Sequence, residues 1–232
     1  MTGAQETSAA RSGASDGFEA GAEFDRQVRT LVTKGYPALA GLTEEAFTGL
    51  LAPLRSGIVE RGATMEPPTE ARVPFVLVVS RRLVAADRTM ALTELRGKAG
   101  FADFEPDDLA RFDAVDGVDI PGGEVYAVLD VDRGREMLNR TPDDAMAVIT
   151  AQGRTPITVD EGIAFITQFP DSLRKNNCFS LVASRCGDRR VPALWISKGA
   201  PKLGWCWAGN PHTWLGSASC AGRWGATSGP AS

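Results

Sequence analysis

Two short connections near the C-terminus limit what this chain can fold into more than any other feature. Three runs of β-forming residues, Cys178 to Ser184, Val191 to Ser197 and Leu203 to Ala208, are separated only by residues 185–190 and 198–202. A parallel return needs a crossover of about a dozen residues or more, so runs this close must pair antiparallel. The segment is expected to form a β-meander. A shorter fourth strand is expected at Thr213 to Leu215, reached through the turn Gly209-Asn-Pro-His212. Successive turns of a meander alternate between sheet ends, so residues 185–190 and 209–212 are expected at one end, with Lys198 and Lys202 at the other. Alternation along the third run puts Leu203, Trp205 and Trp207 on one face and Cys206 on the opposite one. Trp195, Trp205 and Trp207 are expected in the core, because each offers a very large apolar area to burial.

The same stretch gathers the chain's distinctive chemistry. Residues 190–214 hold four of the five tryptophans and the only histidine (His212), and residues 178–224 hold all four cysteines (Cys178, Cys186, Cys206, Cys220). Residues 178–224 carry net charge +5, so with the whole chain at −4 the remainder stands at −9. That asymmetry suggests an anionic ligand or a partner surface. The reading preferred here is a binding domain for a small anionic ligand at the shared end of the meander. Arg189 and Arg190 would donate charge-assisted hydrogen bonds, Asn210 and His212 would make directional polar contacts, and Trp214 would stack. One alternative is a protein-interaction or homo-oligomerising module that uses the tryptophan-rich surface. Another is an enzyme with Cys186 as nucleophile, His212 as base and Asp188 or Asn210 orienting the imidazole. Nucleic-acid binding is disfavoured by a pI near 5.2. No CxxC pair is present, so the cysteines read as buried thiols and no metal site is assigned. P-loop, Rossmann GxGxxG and HExxH patterns are absent, and no cofactor is implied.

Upstream, residues 1–22 lack large apolar groups and read as a disordered tail, with the fold starting near Glu23 and a flexible tail over 225–232. Phe24, Val28, Leu31 and Val32 make one helical stripe that Gly35 ends. A second helix starts at the N-cap Thr43, buries Phe47, Leu50, Leu51 and Leu54, and is limited by Pro53, with a long surface connection over 55–72. Val73 to Val79 is a continuous apolar run, expected as a central strand covered on both faces. Short helices are expected over Asp87 to Arg96, closed by Gly97, and over Pro106 to Phe112. Val125 to Val131 reads as a second buried strand. It ends in Asp130-Val-Asp132, where two carboxylates two apart share a face as a cation site would require; solvated acids at a strand end are the plainer reading. Thr141 caps one helix, and Thr158 with Glu161 forms a capping box for another that runs to Pro170. No run of 18 apolar residues and no leader peptide occur, so the protein is expected in the cytoplasm with no membrane partner. These elements add up to one α+β domain over 23–224, with helices packed on a mixed sheet whose antiparallel part is the C-terminal meander.

The stretches FDRQVRTLVTKGYPALAGL, VPFVLVVS, GRTPITVDEGIAFITQFP and RRVPALWISKGAPKLGWCWAGNPHTWLG resemble an uncharacterised family of actinobacterial proteins, a domain of unknown function. The resemblance covers about residues 24 to 224 and implies a single widespread bacterial domain. It implies no activity, cofactor or catalytic residue.

Overall fold

The computed structural model describes residues 18–226. It contains helices α1 (Ala20–Thr33), α2 (Tyr36–Ala40), α3 (Glu44–Gly62), α4 (Ala86–Ala91), α5 (Pro106–Ala110), α6 (Pro142–Ala151) and α7 (Val159–Gln168). The helical stripe of α1 is present, with Phe24 and Leu31 fully buried. α1 begins at Ala20, inside the segment read as tail; residues 1–17 and 227–232, where most of both expected tails fall, lie outside the described residues. Thr43 caps α3 by accepting from the Ala46 N–H at 3.1 Å. Pro53, however, does not end α3, which runs nine residues further to Gly62. Proline removes one hydrogen bond and crowds the carbonyl four residues back, here that of Gly49, on the solvent side where the helix can adjust. The buried positions continue through Leu54, Gly57, Ile58 and Gly62. Gly57 and Gly62 therefore belong to helix packing and not to the expected surface connection. A Cβ on Gly57 would lie 2.2 Å from the Trp224 ring, and one on Gly62 would lie 2.4 Å from the Ala20 methyl.

β1 (Arg72–Val79) pairs antiparallel with β2 (Val125–Asp132). β1 is buried on both faces, as expected, but it stands at the edge of its sheet and not in the centre. The side chain of Gln27 closes that edge. Its Oε1 accepts from the Leu77 N–H at 2.8 Å, and its Nε2 donates to the Phe75 carbonyl at 2.9 Å. Backbone groups that a neighbouring strand would satisfy are thus met by a helix side chain. Phe75, Leu77 and Val79 face a core shared with α1, α2 and α3, while Val76 and Val78 face the core that contains α7. On its far side β2 receives Gly222–Trp224 and Ser219–Cys220, with Thr155–Pro156 beyond.

The Asp87–Arg96 helix is shorter than expected. α4 stops at Ala91, and Glu94–Leu95 pairs with Lys98–Ala99 across a two-residue turn in which Arg96 (φ 51°) and Gly97 (φ 79°) are both left-handed. That geometry makes a tight hairpin and not a helix cap. Asp130 also takes a positive φ, 53°. This breaks the strand alternation, so Asp130 and Asp132 do not act as a same-face pair. Asp130 receives Arg72 and Arg154, and Asp132 accepts from the Gly134 N–H at 2.7 Å.

The second sheet has the order β6 (Leu215–Ser217), β3 (Cys178–Ser180), β4 (Arg190–Ser197), β5 (Ala200–Trp207) and a short strand, Phe101–Ala102. β3, β4 and β5 form the antiparallel meander, with Arg190 opposite Trp207 and Ser197 opposite Ala200. The expected fourth strand is displaced. β6 pairs parallel with β3, on the edge away from β5. Residues 208–214 therefore cross the sheet and do not form a hairpin turn. α7 lies between the two sheets with nearly every residue buried, Phe165 against Phe179 (ring centroids 5.5 Å apart) and Gly162 under Leu181. Its capping box is present.

Candidate functional site

The crossing of 208–214 divides the residues expected at one site. Arg189, Arg190 and Asn210 do share an end: Ala208 donates to the Arg189 carbonyl at 2.8 Å and Asn210 to that of Trp207 at 3.1 Å. His212 and Trp214 are carried elsewhere. Their rings sit 5.3 Å apart, and Trp214 meets Trp195 edge-on at 6.3 Å. Trp195 pairs with Lys202, five positions along β4 from Arg190 and on the opposite face by alternation. The cluster of five is therefore two groups. The Cys186 and His212 pair is not assembled for the same reason.

At the Arg190 end the guanidinium is already neutralised. It holds both Asp108 carboxylate oxygens and donates through Nε to Asp188 at 2.8 Å, while lying 5.4 Å from the Phe112 ring centroid and 5.9 Å from that of Trp205. Arg190 hydrogen bonds hold Asp108 and Asp188 below the usual carboxylate range. Burial and the neighbouring Asp188 push the Cys186 thiol up, the opposite of what a thiolate nucleophile requires. Trp205 and Trp207 share a face as expected. They are not core, however: they are 38% and 46% exposed, in edge-to-face contact at 4.7 Å.

A different site is built at the C-terminal end of α7. A cleft of about 410 Å³ opens between Glu23 and Arg26 on α1, the Pro68–Glu70 loop and the turn from Gln168 to Arg174. Pro170 forces that turn by ending the helical hydrogen bonding and starting a 3₁₀ segment. Gln168 and Ser172 line the cleft, and each is only 4% exposed. The Gln168 amide donates to the Gln27 carbonyl at 3.1 Å, which leaves its Oε1 with no partner among the described residues; Ser172 Oγ has none either. Arg133, 1% exposed, lies beneath Ser172 and Glu70, one layer below the residues that line the cleft. Gly134 carries it inward: its left-handed backbone (φ 80°) passes so close to Ser217 that a Cβ would fall 1.9 Å from a carbonyl oxygen.

Arg133 is poorly compensated for so deep a charge. One Nη donates to the Ser172 carbonyl at 3.2 Å, the other lies 3.6 Å from a Glu70 carboxylate oxygen, and Nε has no partner among the described residues. Burial pulls its pKa down, and Glu70 only partly opposes that. Glu70 is half exposed and more tightly held by Arg174, at 2.8 Å. An incompletely paired buried cation is destabilising by several kcal/mol. The three unpartnered atoms are complementary in kind: a guanidinium donor, a hydroxyl and a carbonyl acceptor. Sequence reasoning missed all three residues. Arg133 stood next to the more conspicuous Asp130 and Asp132, and only the folded chain brings it beside Ser172. The one local signal was Pro170, which marks the turn that presents Gln168 and Ser172.

Among the described residues, no group of three or more His, Cys, Asp or Glu is placed to hold a metal ion, and no helix is long and apolar enough to cross a membrane. Two sheets around a buried helix, with helices on the outer face, define an α+β protein with an arginine-backed cleft. The chain belongs to DUF5701, a family of unknown function, whose model matches residues 30–226. No curated protein and no solved structure matches it.

Proposed function

We propose that this domain binds a small anionic ligand in the cleft between Gln168–Arg174 and Pro68–Glu70. The carrying observation is Arg133, buried and incompletely paired beneath Ser172, with the Ser172 hydroxyl and the Gln168 carbonyl on the cleft wall left without partners among the described residues. An anionic group placed there would accept from Arg133 and Ser172, and an N–H or O–H on the same ligand would donate to Gln168. Glu70 occupies the approach to Arg133 and Arg174, so the ligand's anion competes with an internal carboxylate. This keeps the anionic reading of the sequence but moves it away from Arg190, whose charge two carboxylates already meet. The test is an NMR titration of labelled protein with acetate and with inorganic phosphate. Saturable shifts are expected at Gln168, Ser172 and Glu70. Ser172→Ala should weaken binding by about fivefold, the loss of one hydrogen bond of about 1 kcal/mol. Glu70→Gln should strengthen it by removing the competitor. A wild-type protein whose Ser172 signal ignores both anions overturns the reading.

A second reading rests on Trp205 and Trp207, and takes a second copy of the chain as the partner. The strand Phe101–Ala102 pairs only with Lys202 and Leu203. The Leu203 carbonyl accepts from the Asp103 N–H, so by alternation the backbone of Trp205 points out of the same edge, unpaired there among the described residues. Two such edges would pair antiparallel with the tryptophans covering each other. Sedimentation equilibrium should show a concentration-dependent dimer that a Trp205→Ser, Trp207→Ser variant loses. A monomer at millimolar concentration would sink this reading.

A further inference from the structure

The wall formed by Asp171 to Arg174 has a second side. There a cavity of about 590 Å³ opens towards the tip of the β4–β5 hairpin, sharing Asp171 and Arg174 with the cleft behind them. Its floor is apolar: Leu173 is 2% exposed, Leu95 is buried and Ile196 half buried. Its rim is cationic, with Arg96, Lys98, Arg174 and Lys175, and three tight turns shape it. The first carries Arg96 at φ 51°, the second follows Lys175 with Asn176 at φ 64°, and the third is Lys198-Gly199 at φ 52° and 83°. Lys98 ties the first turn to the third by donating to the Lys198 carbonyl at 2.7 Å.

Carboxylates are scarce at this rim. Among the described residues, neither Arg96, Lys98 nor Lys175 takes part in an ion pair, and Asp171 is the one carboxylate on the cavity wall. Like charges gathered without counter-charges repel one another and raise the local concentration of anions. An apolar floor under such a rim suits an anion joined to an apolar body.

Resting on the ligand site proposed above, we infer that the ligand is an elongated organic dianion that reaches across the Asp171–Arg174 wall. One anionic end meets Arg133 and Ser172. The other meets Arg96, Lys98 and Lys175, and the apolar stretch between them lies over Leu173 and Ile196. The pair of probes that tests this is suberate, with a carboxylate at each end of an eight-carbon chain, and octanoate, with one. Isothermal titration should show suberate binding about tenfold more tightly, a difference of about 1.4 kcal/mol. Lys98→Gln with Lys175→Gln, both exposed positions, should bring suberate to the octanoate level and leave octanoate within about twofold of its wild-type affinity, since each exposed charge contact is worth about 0.5–1 kcal/mol. Ser172→Ala should weaken both probes. Equal wild-type affinities, or a lysine variant that weakens both probes alike, would overturn the dianion while octanoate shifts at Ser172 keep the first site standing. Loss of any Ser172 response to octanoate would bring down both.

Discussion

Arg223 and Glu161 have side chains only 5% and 1% exposed, and they share two hydrogen bonds, at 2.5 and 2.8 Å. Glu161 also accepts from the Thr158 N–H and from the Tyr126 hydroxyl, while Arg223 reaches Thr155 and the Pro156 carbonyl. Burial, then Glu161, raises the Tyr126 pKa well above its usual value, so its hydroxyl stays a donor. The capping box was legible in the sequence because its partners are three residues apart; the ion pair was not, because Arg223 follows by 62 residues. Glu161→Ala would strand a buried guanidinium and is expected to destabilise the fold by about 3–5 kcal/mol in urea denaturation. Removing Arg223 as well, as Met, should recover part of that loss. Asp130 gives a pH-dependent counterpart. Burial acts to raise its pKa, but the hydrogen bonds from Arg72 and Arg154 prevail and lower it. A depressed carboxylate contributes stability above its unfolded pKa of about 3.9, lost as pH falls through the folded value. Asp130→Asn keeps a residue type that tolerates the left-handed backbone. It is expected to be less stable than wild type at pH 7 by about 1 kcal/mol, allowing for solvent screening of a one-third-exposed pair, and the gap should close below about pH 4.

Glycines show how far elements could be read from local sequence. Gly57 and Gly62, followed by Pro67 and Pro68, had the composition of a loop, yet the first two lie inside α3 because Trp224 and Ala20 press against them. That requirement comes from side chains distant in sequence, so no window around residue 57 contains it. Gly49 in the same helix has open space where a Cβ would go. The two positions should respond with opposite sign. Gly49→Ala is expected to stabilise by about 0.5–1 kcal/mol, the helix-interior advantage of alanine. Gly57→Ala gains the same intrinsic term but must displace the Trp224 ring, and a net loss of about 1–3 kcal/mol is expected, as for overpacked cores. Thermal unfolding of the two variants measures both. The meander was legible because its connections are short and local. The destination of 208–214 was not: a Gly-Asn-Pro turn signal is equally compatible with a hairpin and with the start of a crossing, and only the open edge of β3 decides between them.

Across the whole molecule, the two cores are separated by sequence but share their boundary. β1 gives Phe75 and Leu77 to the helical core and Val76 and Val78 to the core around α7 and the meander. α7 is buried between the sheets, and Tyr36 of α2 comes within 3.4 Å of its Thr167 hydroxyl. Neither core can keep its floor if the other melts, because the same strand would lose one covered face along its whole length. The molecule is therefore expected to unfold in one cooperative step. The probes for this are distributed favourably. In a Trp224→Phe background, which removes the tryptophan packed on the helical core, the other four (195, 205, 207, 214) report on the meander and its crossing segment, whereas far-ultraviolet circular dichroism is weighted towards the helices, the longest of which, α1 and α3, belong to the other core. Leu51→Ala, a fully buried change in α3, is expected to lower stability by about 2–5 kcal/mol and to shift the tryptophan and helical transitions together. Leu194→Ala in the meander should do the same in reverse. If Leu51→Ala moved the helical signal and left the tryptophan fluorescence transition in place, the shared strand would not couple the cores, and the helices would be a separately melting layer on a self-sufficient β-sheet.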